Sequence, residues 1–496
     1  MRWEFLDKQQ AALVLALGIT SILIHHLFSK YYRLYHIPGP LIAKLTDLHR
    51  FFCVRSGFIH LYHAKAHERY GPVVRFGPNM VSVCDPDAIQ MIFHKRNGFD
   101  KACGSDFTQN HFRPWTPDGL LLSVFTANND EKNRRMKQHI AMYFSLSYVV
   151  STFEKRIDRT INMFLNQLAQ QFVATGASCD LTQWFKFFSY DAMGQMTFSR
   201  AYGCIEHGND SIGIISDVKN TMLAIGPPEP VSCLLMYVLK RIAERKNNPT
   251  KFHNKVDAGP DLNSDFLGYF IQAQEKESNE VPPRFLSTWT LANILGGSDS
   301  TASMLRSVVC FLVENPDALQ NVRDELQNKQ RDVTGFSLPV PKWNELQNLP
   351  FLDACITESL RLDPPFATSL ERIVPPGGMT VCGHFLPEGT VVGMNPYTTN
   401  RYRPTWGEDA DMWRPSRWLE GDLAYKRKLE ASLLSFGAGT RTCLGQNVAM
   451  FEIKKLVVAL VMKYNFKLIK PREKNNKYSW IIMPETVEAT IKSSAS

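Results

Sequence analysis

The clearest chemical signal in the 496-residue chain is a cysteine that closes a glycine-rich segment, Phe436-Gly-Ala-Gly-Thr-Arg-Thr-Cys-Leu-Gly445. Glycines there allow turns with positive φ and let the backbone approach a flat ligand. Apolar residues recur at helical spacing from Ala449 to Leu460, so Cys443 begins a buried helix, where N–H groups and the helix dipole favour a thiolate. This loop alone fits an iron ligand, a reactive nucleophile or a buried structural cysteine.

A second polar stretch, Gly296-Gly-Ser-Asp-Ser-Thr301, interrupts the apolar segment Phe285–Val313. Each mid-helix glycine costs roughly 1 kcal/mol relative to alanine, and buried polar groups are costly unless they are hydrogen-bonded. The two glycines fit either a close helix crossing or a notch that admits a small ligand.

A third pattern is Glu358-Ser-Leu-Arg361 on a helix with a leucine-rich stripe. A glutamate and an arginine three residues apart can form a surface pair worth only a few tenths of a kcal/mol. By itself the pair therefore predicts little. The segment Trp413-Arg-Pro-Ser-Arg-Trp418 follows about fifty residues later in the chain and contains Arg417.

Together these patterns resemble the cytochrome P450 superfamily. Phe436-x-x-Gly439-x-Arg441-x-Cys443-x-Gly445 matches every fixed position of its haem-binding signature, and the other motifs occur in the family's order. The resemblance implies a mainly α fold with small β-sheets and haem b with an axial thiolate from Cys443. It also implies a structural cluster in which Arg417 locks Glu358 and Arg361.

The resemblance also assigns roles around the haem. Arg441 and Arg372 are expected to bind its carboxylates, because guanidinium groups match carboxylates bidentately. Asp299 and Ser300 are expected to relay protons to bound dioxygen, while the thiolate favours O–O cleavage. Ser300 departs from the family's usual threonine and lacks the β-branch that restricts χ1.

The implied activity is monooxygenation, with electrons from NADPH through a membrane-bound cytochrome P450 reductase. The chain further resembles fungal microsomal enzymes of secondary metabolism, near the pisatin demethylase-like branch, in His36–Pro40, Tyr70–Arg75 and Asp130–Lys132. A lipophilic substrate such as a terpenoid or polyketide is expected to contact segments 100–125 and 205–260, Phe366–Leu370 and Ile481–Met483. Two alternatives remain: a reductase-independent thiolate-haem isomerase or dehydratase, and a non-enzymatic, membrane-anchored haem sensor or carrier.

The elements that position these residues begin with a predicted membrane anchor. Gln9 to Ser29 contains no charged residue, and such a helix would be about 31 Å long, enough to span a bilayer. We expect a short segment 1–8, a transmembrane helix 9–29, a proline-rich hinge 30–40 and a catalytic domain 41–496. Lys30 and Arg33 follow the span, which predicts a single-pass protein of the endoplasmic reticulum membrane with its catalytic domain in the cytosol.

Past the hinge, the sequence predicts one large domain. A hairpin is expected over Val73–Phe76 and Met80–Val83, with helices over most of 130–360 and short strands near 379–381 and 391–393. His60, His63 and His67 share one helix face, which we interpret as a polar helix face rather than a metal site.

Composition excludes several classes of protein. The ten cysteines form no CxxC pair, which argues against zinc ribbons and disulfide scaffolds and favours a reducing compartment. The net charge of +8 is spread over short clusters, so no nucleic-acid partner is expected. The motifs GxxxxGK[ST], HExxH and GxSxG are absent from the sequence.

Overall fold

The computed structural model describes most of the chain, namely residues 12–18, 20–21, 31–94, 97–102, 115–116, 119–120, 123–127, 129–223, 233–247, 265–332, 335–472, 477–478, 482–483 and 485–494. None of the helices in these ranges is long and apolar enough to cross a membrane. More than half of the predicted span 9–29 lies outside the described residues. The anchor therefore stays a prediction.

The described chain is mainly helical. Its α-helices are α1 (Leu41–Leu45), α2 (Leu48–Arg55), α3 (Ile59–Tyr70), α4 (Ala88–Phe93), α5 (Asp130–Gln138), α6 (Leu146–Leu168), α7 (Leu181–Phe198), α8 (Cys204–His207), α9 (Ile214–Leu223), α10 (Cys233–Asn247), α11 (Phe266–Lys276), α12 (Arg284–Gly297), α13 (Asp299–Glu314), α14 (Pro316–Asp332), α15 (Pro350–Leu362), α16 (Pro396–Thr399), α17 (Arg403–Trp406), α18 (Leu423–Ser432) and α19 (Gln446–Lys463). Side-chain oxygens of Asn129, Asp180 and Asp265 accept backbone N–H bonds at the starts of α5, α7 and α11. Local sequence thus sets where these helices begin.

The β-structure is small, which confirms the expected mainly α fold with small β-sheets. The strands are β1 (Val73–Gly77), β2 (Met80–Val83), β3 (Asp100–Lys101), β4 (Trp115–Thr116), β5 (Gly119–Leu120), β6 (Cys179–Asp180), β7 (Leu370–Ile373), β8 (Met379–Val381), β9 (His384–Leu386), β10 (Val391–Met394), β11 (Tyr464–Leu468), β12 (Lys477–Tyr478), β13 (Ile482–Met483) and β14 (Glu488–Ser493). The main sheet has the order β1-β2-β10-β7-β3. The predicted hairpin is confirmed, because β1 pairs antiparallel with β2.

The largest core surrounds α13, which packs against α7, α15 and α19. Helix α13 can lie at the centre because its side chains from Thr301 to Leu312 are buried. The segment predicted as one long helix is two helices in the structure. Helix α12 ends at Gly297 and α13 begins at Asp299, with Ser298 between them at ψ −70°. The polar motif therefore lies at a break in the central helix.

The polar helix face of α3 is buried rather than exposed. His60, His63 and His67 are all buried, and His63 stacks on Phe76 with ring centroids 3.8 Å apart. Nδ1 of His63 and Nε2 of His67 both lie within 2.9 Å of Ser82 Oγ. The rings pack against the sheet, and besides Ser82 they contact the carbonyl of Gly71, which lies 2.9 Å from Nδ1 of His67.

Candidate active site

The loop that carries Cys443 is held in shape by two left-handed glycines. Gly437 and Gly439 have φ of +69° and +65°, a region that side chains rarely adopt. A Cβ on Gly439 would lie 1.8 Å from the carbonyl oxygen of Phe93, so this position also requires glycine for the approach of α4. The N–H of Cys443 donates to the carbonyl of Phe436 over 2.8 Å and closes the loop just before α19.

The Cys443 thiol is enclosed by protein and yet keeps accessible surface. Burial raises the pKa of this thiol, whereas the N–H groups of Gly445 and Gln446 and the charge of Lys137 lower it. Lys137 approaches because its Nζ donates to the carbonyls of Thr440 and Thr442 in the same loop. An enclosed thiol with free surface at a helix start suits a metal, since a coordinating thiol is deprotonated outright.

The two arginines predicted to bind haem carboxylates lie near each other. Arg372 on β7 is buried, and within the described ranges no carboxylate lies at ion-pair distance from it. Burial and the charge of Arg441 lower the pKa of Arg372 to about 10, while Asp130 opposes the shift. Arg441 donates from Nε to Asp130 Oδ1 over 2.7 Å. Asp130 thus pairs with Arg441, whereas Arg372 donates to the backbone carbonyl of Glu371.

These observations fit a haem group. A thiol with accessible surface could ligate the iron, and a buried guanidinium for which the described residues offer no carboxylate partner could offset the charge of a propionate. Gly296 provides a third observation, because a Cβ built there would meet nothing within 4 Å. An exposed position near the end of α12 with open space beside it can accommodate a bound molecule.

The two glycines of the central helix do different things. A Cβ on Gly297 would lie 2.6 Å from Met193 Sδ on α7, so Gly297 is required for a helix crossing. Gly296 faces open space instead. Of the two interpretations left open by the sequence, close packing explains Gly297 and a ligand notch is consistent with Gly296.

The structure directs Asp299 and Ser300 to different partners. Asp299 Oδ2 accepts from the Tyr190 hydroxyl over 2.9 Å, and its Oδ1 lies 3.4 Å from Lys186 Nζ. Ser300 Oγ donates to the carbonyl of Gly296 over 2.5 Å and is only half-buried. The hydroxyl therefore lies beside the glycine notch, and the carboxylate is held against α7.

Glu358, Arg361 and Arg417 meet in a fully buried cluster. Nε and Nη2 of Arg361 each donate to the carboxylate over 2.8 Å, and Nε of Arg417 donates over 2.9 Å. Burial alone would raise the pKa of Glu358, but its bonds to Arg361 and the charge of Arg417 lower it below the usual range. The surface pair that the spacing by itself suggests is therefore a core network.

Sequence reasoning missed several members of these groups. The backbone N–H of Arg414 and Nε1 of Trp418 also donate to Glu358. Both residues lie in the segment quoted for Arg417, but no spacing rule indicated their partner. Tyr190 and Lys186 carried no motif at all. The resemblance also suggested a further basic partner near Lys137, which was left uncommitted because Asn133 stands where the family usually has tryptophan or histidine.

Comparison with known proteins agrees with this geometry. The family model described as Cytochrome P450 matches residues 37–490. The chain belongs to the cytochrome P450 family. It is 39% identical over 485 residues to a cytochrome P450 monooxygenase of Aspergillus flavus, covering 93% of each chain. It is 37% identical to the cytochrome P450 monooxygenase pkfB of Emericella nidulans, covering 96% of each, and 36% identical to mfmA of Annulohypoxylon moriforme, covering 98% of each.

Membership of the cytochrome P450 family confirms the predicted fold class and the monooxygenase class of enzyme. It also implies a haem-thiolate iron centre, a redox partner, dioxygen and a small-molecule substrate. The roles of individual residues of this P450 in binding haem or moving protons remain predictions. The narrower likeness to the pisatin demethylase-like branch likewise stays a prediction.

Proposed function

We propose that this P450 inserts one oxygen atom from dioxygen into a lipophilic small molecule, by hydroxylation or multistep oxidation, in fungal secondary-metabolite biosynthesis. The observation that carries the proposal is the Cys443 loop, which combines an accessible thiol, two obligatory glycines and neighbouring buried guanidinium groups. The fungal relatives at 36–39% identity over nearly the whole chain support the biological setting.

In the proposed site Cys443 would ligate the haem iron, and Arg372 and Arg441 would hold the haem carboxylates. Bound haem supplies the iron that activates dioxygen. Lys137 fixes the loop by donating to two of its carbonyls. Charge from Lys137 also favours the thiolate over the thiol.

Protons reach the site through Asp299 and Ser300. Ser300 Oγ lies on the carbonyl of Gly296 and can exchange this bond for one to a molecule in the notch. Serine keeps the hydroxyl of the family's usual threonine but not its χ1 restriction. Proton delivery therefore relies on the bond to Gly296 to hold the rotamer.

Apolar side chains support a lipophilic substrate class. Leu370 lies 4.0 Å from a Cβ built on Gly437, and Phe366 lies near Phe125 with ring centroids 6.5 Å apart. Apolar surface of this kind favours a lipophilic molecule such as a terpenoid or polyketide. Residues 103–114, 117–118, 121–122, 224–232, 248–260 and 481, also expected to contribute, lie outside the described residues.

NADPH–cytochrome P450 reductase is the proposed electron donor, and the endoplasmic reticulum membrane is the proposed location. The uncharged segment from Gln9 to Ser29 and the positive residues that follow it support a single-pass anchor with the catalytic domain in the cytosol. The surplus of eight positive charges would favour an acidic docking face.

The test is reconstitution of the full-length holoenzyme with the reductase, NADPH and candidate precursors in isotopically labelled dioxygen. A product that carries one labelled oxygen atom is the expected result. Turnover without NADPH would instead support the isomerase or dehydratase alternative. Absence of any substrate-induced spin-state change or product across a broad precursor set would favour the haem sensor or carrier.

A further inference from the structure

A small cavity lies between α2, α3 and the main sheet. The polar side chains in its lining are those of Arg50, His63, Thr368, Ser369 and Glu371. Its volume is about 10 Å³, close to what one water molecule needs when two to four polar groups surround it. The lining offers that many polar groups, so the cavity can bind one small polar molecule.

Two polar atoms of this lining have no partner within the described part of the chain. His63 and Ser369 are buried, and neither Nε2 of His63 nor Oγ of Ser369 has a hydrogen-bond partner there. A Cβ on Gly393 of β10 would overlap the Ser369 hydroxyl, so the glycine leaves the room that this hydroxyl occupies. Buried polar atoms are rarely left unpaired, so these two atoms indicate a bound partner.

A chain of hydrogen bonds fixes which nitrogen of His63 carries the hydrogen. Nδ1 of His67 lies 2.9 Å from the carbonyl of Gly71, which can only accept, so this nitrogen donates. Burial lowers the pKa values of His67 and His63, so both rings are neutral. Nε2 of His67 therefore accepts from the Ser82 hydroxyl, whose oxygen accepts from Nδ1 of His63. Nε2 of His63 is left as an acceptor for the cavity.

The cavity adjoins the segment Phe366–Leu370, which is expected to contact the substrate. Ser369 of this segment lines the cavity. The next residue, Leu370, is directed to the haem side, where its side chain lies 4.0 Å from a Cβ built on Gly437. A bond that holds Ser369 on the α3 side of the sheet therefore also sets where Leu370 lies on the haem side.

We propose that one water molecule in this cavity donates a hydrogen bond to His63 Nε2 and accepts one from Ser369 Oγ, and that the two residues thereby position the substrate-contact segment 366–370. This inference rests on the proposed function. Arg50 and Glu371 form a buried ion pair at 2.6 Å beside the same cavity, which supplies further polar surface for the water. His63 and Ser369 act through the segment, so both are positioning residues.

The first test is a high-resolution crystal structure of the full-length holoenzyme. We expect density for one water molecule within about 3.2 Å of both His63 Nε2 and Ser369 Oγ. Absence of that density, or direct contact between the two side chains, would overturn the water site. The measurement needs no turnover, so its failure is distinguishable from failure of the proposed function.

The second test uses the full-length holoenzyme with its reductase and a precursor that the parent converts. Ser369→Ala and His63→Phe are each expected to raise KM, and the Kd from the substrate-induced spin-state change, by about fivefold, the factor for one neutral hydrogen bond. Both should keep kcat and the product formed per NADPH. The double variant should match either single variant, because both substitutions remove the same water-mediated link.

Two controls separate this role from a general effect of substitution. His49→Phe changes a histidine of α2 whose ring lies 5.8 Å from that of Phe76, on which His63 also stacks, but which does not line the cavity. Thr390→Val removes a fully buried hydroxyl that has no hydrogen-bond partner among the described residues and lies outside the cavity lining. Both controls should keep the KM and Kd of the parent.

The outcomes separate the two proposals. Failure of the parent to form an oxygenated product would overturn the proposed function, while the crystal structure would still test the water site. Unchanged KM and Kd in Ser369→Ala would overturn the positioning role, and this variant decides alone if His63→Phe does not fold. Independent effects that multiply in the double variant, or an equal rise in KM in both controls, would also overturn it.

Discussion

Replacement of Glu358 by glutamine tests the buried cluster most sharply. Three donors converge on Oε1, namely Nη2 of Arg361, Nε of Arg417 and the N–H of Arg414, and two on Oε2, namely Nε of Arg361 and Nε1 of Trp418. A glutamine offers one acceptor oxygen, so even its better orientation leaves two buried donors facing an NH₂ group.

Each stranded donor costs about 1–3 kcal/mol, and removing one partner of a buried ion pair costs about 3–5 kcal/mol in total. In the variant Arg417 would still pair with Asp409, whose Oδ2 lies 3.3 Å from its Nη2. Glu358 is the carboxylate that Arg361 contacts in the described structure. Most of the loss therefore comes from Arg361. We expect Glu358→Gln to lower the free energy of unfolding of the holoenzyme by about 3–5 kcal/mol.

The assay is denaturant unfolding followed by tryptophan fluorescence, with haem content measured in parallel. Glu388→Gln is the matched control, because Glu388 is exposed and surface substitutions change stability by less than about 0.5 kcal/mol. A loss below about 1 kcal/mol for Glu358→Gln would refute the argument that its charge neutralises buried arginines.

Three further predictions concern the same molecule. Ser300→Ala should lower product formed per NADPH by about an order of magnitude with matching peroxide release; unchanged coupling would contradict the relay. Gly297→Ala should lower the free energy of unfolding by roughly 1–3 kcal/mol, whereas Gly296→Ala should leave stability intact and reduce turnover; equal stabilities in denaturant unfolding would contradict the assignment. Burial lowers the pKa values of His60 and His67 from 6.5 to about 4, so the unfolded state binds more protons below pH 6.5. Stability should then fall by up to about 1 kcal/mol per pH unit for each histidine down to about pH 4, and a flat profile in unfolding titrations would contradict this.

Local chemistry explains which parts of the fold could be predicted from sequence. The hairpin and the glycine-rich loop before a buried helix depend on neighbours in the chain, and the structure has both. The meeting of Glu358 with Arg417 joins residues 59 positions apart. Spacing rules relate only residues that are close in sequence, so only the family resemblance predicted this contact.

The remaining differences come from tertiary packing. Gly296 and Gly297 are adjacent in sequence but about 100° apart around a helix, so one faces open space and the other faces Met193. Sequence could not assign the two roles. Sequence did not predict the burial of the three histidines of α3, because their polarity does not indicate the ring surface that they bury against the sheet.

The central claim is that Cys443 binds haem iron as a thiolate. The most direct measurement is the reduced carbon-monoxide difference spectrum of the full-length protein and of its Cys443→Ser variant. Cys233→Ser is the control, since Cys233 is an exposed cysteine on α10. The parent and the control should show the thiolate-type band, and Cys443→Ser should lose it. Retention of that band in Cys443→Ser would contradict the ligand assignment.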